Sequence, residues 1–425
     1  GWRRTSTPSQ WIIEEVTEEM EAQWQSTLAS QYNNLTQHEL GTGIGQYSGM
    51  EENLVEGFNA LRLPEEATAI EKARYCVYAL YDYASAVEAL VINQPSAGFY
   101  RIKSQNVANN ALFGKYLQLK EDNSGLEESD NANIQSIVYI NDAKSILHYS
   151  IAQYQNSYAA PAAIGSEAST WEIAENPTAF GKYTLKVSGN GQYLSDWQGT
   201  IQGGSNSTNE VWTFEPVASL PFTFNSKALG FATFCAPVNV EIPNDVTAYI
   251  AEIQGNTLKM RKFVVEDGEK LILPAETPVM LYKADLTEAT IQLRIDDGEY
   301  SLSNEDKNKN NFFGTIAAEK LPTDETYNYY SLQKNKSDDS KVGFYRKAEG
   351  DDKVLGGFKA WIKIEEAEVS QARSFTIIFD GDNATGLKEA LGLENENVEI
   401  YDLSGRRLDK SAKGVNVIGG KLVVK

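Results

Sequence analysis

Five residues within fourteen positions, Tyr193, Asp196, Trp197, Gln198 and Asn206, combine aromatic rings with planar polar groups. That set suits a sugar. An aromatic face takes the apolar side of a pyranose, and carboxylate or amide groups take its hydroxyls. Trp197 stands in the polar, turn-like stretch Ser195-Asp196-Trp197-Gln198-Gly199, which is not a core setting, so a recognition role is expected of it. No comparable grouping points to catalysis. The two histidines, His38 and His148, are isolated, and the two cysteines, Cys76 and Cys235, each sit in an apolar run. A zinc site or a His-dependent triad is therefore not expected, and the thiols read as small buried hydrophobes. The pairs Glu14-Glu15, Glu65-Glu66 and Glu365-Glu366 read as solvated charge, because adjacency in sequence does not set two carboxylates across a cleft. Asp380-Gly381-Asp382-Asn383 is only a fragment of a calcium loop. No catalytic residue, metal ligand or cofactor site is expected.

The chain has 425 residues, 41% hydrophobic, and a net charge of −21. That is enough apolar matter for several cores. The charge disfavours phosphate backbones and anionic lipid heads, so nucleic acid and membrane surfaces are poor partners. No stretch approaches the roughly 20 apolar residues that span a bilayer. The opening Gly1-Trp2-Arg3-Arg4 has no charged-then-apolar leader; a trimmed mature chain would begin this way, and so would a cytosolic one.

The elements that must hold these residues change in character along the chain. Residues 17–95 read as a three-helix module. Thr17 caps the first helix, whose apolar positions are Met20, Trp24, Leu28, Tyr32 and Leu35. Ser48 and Glu51 form a capping box for a second helix through Leu61, and Pro64-Glu65-Glu66 opens a third. The third helix should bury Ile70, Ala73, Val77, Leu80, Tyr81, Ala84, Val87 and Val91. The run Gly41-Thr42-Gly43-Ile44-Gly45 follows a helix and lacks a Lys-Ser/Thr ending, so it reads as a linker and not a phosphate loop.

Residues 96–218 contain an internal repeat. Gly98-Phe99-Tyr100-Arg101-Ile102-Lys103 matches Gly181-Lys182-Tyr183-Thr184-Leu185-Lys186, and Gly114-Lys115-Tyr116-Leu117 matches Gly191-Gln192-Tyr193-Leu194. Ala152-Gln153-Tyr154 fills the place between, so the tyrosines recur at 38 and 39 positions. The closing strands are Ile137-Val138-Tyr139-Ile140, Trp171-Glu172-Ile173 and Trp212-Thr213-Phe214. Three such units must share one core, which predicts a threefold β-barrel. The pattern resembles the ricin-type β-trefoil of carbohydrate-binding lectins, where Gln-x-Trp closes each repeat. The resemblance implies a ligand Asp directly after the Tyr-Leu phrase. Here that place holds Gln118 in the first repeat and Ser195 in the third, with Asp196 one position late. The Gln of the closing element is Ser169 and Glu210 in the second and third repeats; Gln135 alone survives. Trp11-Ile12-Ile13-Glu14-Glu15-Val16 mirrors Trp212 to Val217, so residues 1–16 read as the last strand of a preceding unit, or as a chance entry to the first helix.

Residues 219–380 hold about a dozen short strand candidates, among them Leu229–Cys235, Val246–Ile253 and Ser374–Phe379, and read as a β-sandwich. The polar run Ser303–Asn311 reads as a loop. Gly230 to Val238, with Ile272 to Val279, resembles a β domain of large Bacteroidetes surface proteins. Residues 381–425 end in a hairpin about Gly419-Gly420, and Tyr401-Asp402-Leu403-Ser404-Gly405-Arg406-Arg407 resembles the C-terminal sorting domain of exported Bacteroidetes proteins. The resemblances imply secretion or display on the cell surface, with the export machinery as a partner through the C-terminus. The expected chain is mainly β with an N-terminal α-helical module, a β-trefoil and then a β-sandwich. Its expected work is non-catalytic: binding a glycan or a cell-surface protein. The alternatives are the accessory end of a larger secreted hydrolase and a stalk without a ligand.

Overall fold

The computed structural model describes residues 17–49, 61–105, 113–156, 164–189, 191–197, 200–205, 210–225, 229–255, 257–263, 270–320, 326–334, 342–347, 354–365, 374–379, 400–402, 407–408, 415–418 and 421–424. The protein is mainly β, with two long helices near the N-terminus and strands gathered into several sheets. Two compact units divide it, residues 1–150 with 154–216 and residues 151–153 with 217–425.

In the first unit, α1 (Glu18–Leu35) starts where the Thr17 hydroxyl accepts the Met20 N–H at 3.3 Å, with Glu18, Glu19 and Glu21 at the positive end of the helix. It packs on α2 (Ala69–Ala89) around Leu28, Leu35, Leu61, Cys76, Ala79 and Ala86. Two expectations for α2 are corrected. It starts at Ala69 and not at Pro64, because Thr68 and Glu71 form a reciprocal capping box that satisfies two orphan donors, while Pro64 opens a turn. Its buried face is also shifted: Leu80 and Val87 pack against the core as expected, half-buried, but other expected positions do not. Ile70, Val77 and Tyr81 are 66%, 65% and 70% exposed, and Cys76, Ala79 and Ala86 are buried instead. Apolar residues surround most of this helix, so period alone does not select a face. The small side chains are the ones that let α1 approach closely. Ser48, read as a helix cap, lies in β1 (Tyr47–Ser48), paired with β2 (Val91–Ile92). Glu51 and most of the expected second helix lie outside the described residues, as do residues 1–16.

Twelve strands of the first unit form one sheet in three sets of four. The first set is β3 (Gly98–Ser104), β4 (Tyr116–Leu119), β5 (Leu126–Ser129) and β6 (Ile137–Ile140). The second is β7 (Ile146–His148), β8 (Gln153–Gln155), β9 (Ile164–Gly165) and β10 (Trp171–Glu175). The third is β11 (Tyr183–Val187), β12 (Tyr193–Trp197), β13 (Thr200–Gly204) and β14 (Trp212–Pro216). In each set the middle strands form an antiparallel pair with the tyrosine in a matching place, as Tyr116↔Ser129, Tyr154↔Gly165 and Tyr193↔Gly204. The outer strands pair within the first and third sets, β3 with β6 and β11 with β14, and join neighbouring sets through β6 with β7 and β10 with β11. The last strand returns to the first, with Trp212↔Ser104 and Pro216↔Tyr100. Ile102, Leu117, Ile137, Trp171, Tyr183, Leu185, Leu194 and Trp212 are buried, so each set contributes to the interior. Trp212 also donates from Nε1 to the Leu194 carbonyl at 3.0 Å, which ties the third closing strand to its own hairpin.

In the second unit, β15 (Ser219–Thr223), β22 (Thr290–Asp296), β17 (Asn239–Ile242) and β20 (Leu271–Leu273) form one sheet. A second holds β16 (Phe231–Phe234), β21 (Val279–Lys283), β18 (Val246–Gln254), β19 (Thr257–Lys262) and β29 (Thr376–Phe379), the last pair parallel. A third holds β23 (Phe312–Thr315), β28 (Lys359–Glu365), β25 (Tyr327–Lys334) and β26 (Val342–Arg346). The second and third sheets share one core, which includes Phe231, Met260, Tyr330, Phe344, Ile362 and Phe379. A short pair, β24 (Glu319–Lys320) with β27 (Val354–Leu355), adds Leu355 to a cluster with Tyr329 and Trp361. The run read as a loop is a short helix, α3 (Asn304–Lys309). Ser303 caps it, acidic residues begin it and lysines end it, an order the helix dipole favours. Near the C-terminus, β30 (Ile400–Asp402), β31 (Arg407–Leu408), β32 (Val415–Ile418) and β33 (Lys421–Val424) form a sheet of their own, with Ile418↔Lys421 across residues 419–420. Residues 380–399, with the calcium-loop fragment, lie outside the described residues.

Candidate functional site

Three of the five sugar-site residues, Tyr193, Asp196 and Trp197, lie on β12. Asp196 pairs with Ile201 and Trp197 with Thr200, so residues 198 and 199 connect the strands. Gln198 and Asn206 lie outside the described residues. The hairpin therefore places Asp196 and Trp197 beside its connection, and Tyr193 at its far end opposite Gly204. Lys186 Nζ stands 5.9 Å from the Tyr193 ring centroid and 3.0 Å from Glu172 Oε2. These contacts are solvent-facing and weak.

Beneath the hairpins the polar positions are occupied by the protein itself. In the first set, buried Gln118 donates to Glu127 Oε1 at 2.8 Å and accepts from Asn133 Nδ2 at 2.9 Å. In the third, buried Ser195 hydrogen-bonds Glu210. Burial raises the carboxyl pKa of Glu210 against the opposing pull of Ser195, and Oε2 has no hydrogen-bond partner. A Cβ on Gly204 would stand 2.5 Å from Glu210 Oε1 and 2.7 Å from Ser195 Cβ, so only glycine fits there. Gln118 and Ser195 fill the place where the lectin resemblance expects a ligand Asp. Both are turned to internal bonds. Glu127, Asn133 and Glu210 take part without having been singled out for this role. The common fifteen-residue spacing from Gln118 to Asn133 and from Ser195 to Glu210 is the signal that could have found it. In the second set, His148 Nε2 lies 2.9 Å from Gln155 Oε1, and complete burial lowers its pKa to about 4. Such a histidine is a neutral core residue, not a proton carrier at neutral pH.

The glycine run proves to be a docking loop. The Gly45 N–H donates to the Tyr183 hydroxyl at 2.7 Å, and that hydroxyl donates to the Asn93 carbonyl. The Tyr47 hydroxyl accepts the Gly181 N–H at 2.8 Å and donates to the Glu175 carboxylate. Burial first, and then the Glu175 bond, push the Tyr47 phenol up; burial pushes Tyr183 up to about 12. Both phenols stay protonated and act as fasteners. Gly45 and Gly181 have positive φ, and a Cβ on either would stand 2.7 Å from the other's carbonyl oxygen.

Cys76 and Cys235 are free and buried, and burial raises both thiols, Cys235 to about 12. Neither has the lowered pKa of a nucleophile. Among the described residues, no group of three or more His, Cys, Asp or Glu could hold a metal ion, and no helix is long and apolar enough to cross a membrane.

No protein-family model matches the sequence, and no curated protein matches it. Among solved structures, "Agglutinin from Abrus Precatorius" matches at 11% identity over 64% of this chain and 99% of that chain, with a TM-score of 0.22. A TM-score of that size does not establish a common fold.

Proposed function

We propose that this is a non-catalytic binding protein that takes carbohydrate at the β12–β13 hairpin. On this reading the twelve-strand sheet is a β-trefoil, the two sheets sharing a core in the second unit are a β-sandwich, and the protein works outside the cell as one part of a modular surface or secreted protein. The observation that carries the reading is the repeated hairpin register, Tyr116↔Ser129, Tyr154↔Gly165 and Tyr193↔Gly204, with aromatic and acidic residues concentrated at the third connection. The first hairpin has Gln118-Leu119-Lys120 where the third has Ser195-Asp196-Trp197, so of the two only the third carries an aromatic residue beside a carboxylate there. Trp197→Ala is expected to weaken binding of a neutral oligosaccharide at least tenfold on a glycan array, a loss of the size that one stacked aromatic supplies. Absence of binding to every glycan, or binding unaltered by the substitution, removes the hairpin as a site.

A further inference from the structure

The outer face of α2 carries apolar side chains that periodicity assigns to a core and the fold leaves in solvent. Ile70, Val77 and Tyr81 are largely exposed, and Ala84 is exposed beside them. This is not the face that meets α1. That contact runs through Cys76, Ala79 and Ala86, with Lys72 paired to Glu21 at 2.7 Å, and Leu61 enters the same buried cluster. Tyr81 lies two residues from Ala79, about 200° round the helix, so its stripe points away from α1. Ile70, Val77 and Ala84 recur every seven residues, and Arg74, Tyr81 and Glu88 do the same four positions on. Two lines at that spacing make a seam along one side of a helix, the pattern by which one helix meets another.

The second line is also symmetric in a useful way. Arg74 precedes Tyr81 by seven residues and Glu88 follows it by seven, so opposite charges stand about 10 Å to either side of the tyrosine. Both charged side chains are exposed. Glu71 lies one turn before Arg74, but its carboxylate is bonded to Thr68 in the capping box. A helix brought against its own copy by a twofold axis through Tyr81 runs antiparallel to it. Arg74 then faces the partner's Glu88, and the symmetry repeats the pair on the other side. A parallel copy would set arginine against arginine and glutamate against glutamate. The stripe is therefore complementary to itself in one orientation.

We infer that the chain self-associates through α2, as an antiparallel twofold dimer centred on Tyr81. Val77 and Ala84 extend the apolar seam, and two Arg74–Glu88 pairs flank it. Contact along one helix face is at the low end of specific interface areas, so a dissociation constant of about 10–100 µM is expected. The exposed ion pairs fix orientation more than they add strength. The inference does not rest on the sugar reading of the β12–β13 hairpin.

Sedimentation equilibrium of the full chain from about 1 to 200 µM tests it. The mean mass is expected to rise towards that of a dimer. Tyr81→Glu should weaken association at least tenfold, with thermal unfolding at about 1 µM matching wild type because the side chain is exposed. Arg74→Glu and Glu88→Arg should each weaken it at least tenfold. An equimolar mixture of these two variants should dimerise as wild type does, since each then meets the opposite charge. A chain that stays monomeric over the whole range overturns the inference. So does a dimer that survives Tyr81→Glu, or a mixture that associates no better than the single variants. A marked fall in the thermal stability of Tyr81→Glu at about 1 µM overturns it as well. That result would mean that a segment of the same chain, such as residues 1–16 with Trp11, Ile12 and Ile13, covers the stripe.

Discussion

The first and third strand sets share a hairpin register and differ in what lies beneath it. Under the first, an amide bridges a carboxylate and a second amide, and the network of Gln118, Glu127 and Asn133 is closed. Under the third, a hydroxyl meets a single buried carboxyl whose Oε2 has no partner. The backbone tolerates both because the strand pairing, and not the polar cluster, carries the geometry. What the clusters set is how each hairpin responds to substitution and to pH.

The largest effect that would sharpen this contrast is expected at the closing strands. Trp212→Ala should cost about 4 kcal/mol, since it removes a fully buried indole and the hydrogen bond to Leu194; Ile137→Ala, its counterpart in the first set, should cost about 3 kcal/mol. Chemical denaturation measures both, and a loss below 1 kcal/mol at Trp212 would show that the third set does not share the core. The second set supplies the next effect. His148 is neutral and buried with a pKa of about 4 against 6.5 in the unfolded chain, so the unfolded state binds the extra proton between those values. Stability should therefore fall by about 3 kcal/mol as pH drops from 6.5 to 4, and His148→Gln should flatten that part of the profile.

The smallest effects separate the two clusters directly. Gln118→Ala leaves two half-buried partners unmatched and should cost about 1 kcal/mol. Glu210→Gln should be near neutral, or stabilising at neutral pH, because the amide resembles the protonated acid that burial favours. The sign follows from the raised pKa: the folded state holds the proton to higher pH than the unfolded state, so wild-type stability falls as pH rises through that window, and Glu210→Gln should lose the fall. Equal costs at Gln118 and Glu210 would erase the distinction.

Much of this was legible in the residues themselves. Tyrosine spacing placed the three hairpins, because a period of about forty residues survives whatever the loops do. The strands of the second unit announced themselves by alternation, as in Ser374 to Phe379, where Phe375, Ile377 and Phe379 face the core. The face of α2 was not legible, since Ile70, Val77 and Tyr81 outweigh Cys76, Ala79 and Ala86 in any hydrophobic count while the approach of α1 favours small side chains. The role of Glu210 is signalled only by its fifteen-residue spacing from Ser195, the spacing that also separates Gln118 from Asn133, and that spacing gains a meaning only once the two hairpins are seen in matching places. The fastening of Gly45 could not be read, since glycine spacing says nothing about which turn lies opposite.

That fastening bears on where the polypeptide can be cut. Removing everything before β3 would strip Tyr183 of the Asn93 carbonyl and of the Gly45 amide, and would leave Glu175 without its phenol, exposing a half-apolar seam to solvent. A shortened protein meant to isolate the twelve strands should therefore retain the stretch from Gly41 to Tyr47 and from Val91 onward, or replace Tyr183 and Glu175 with residues that water can satisfy.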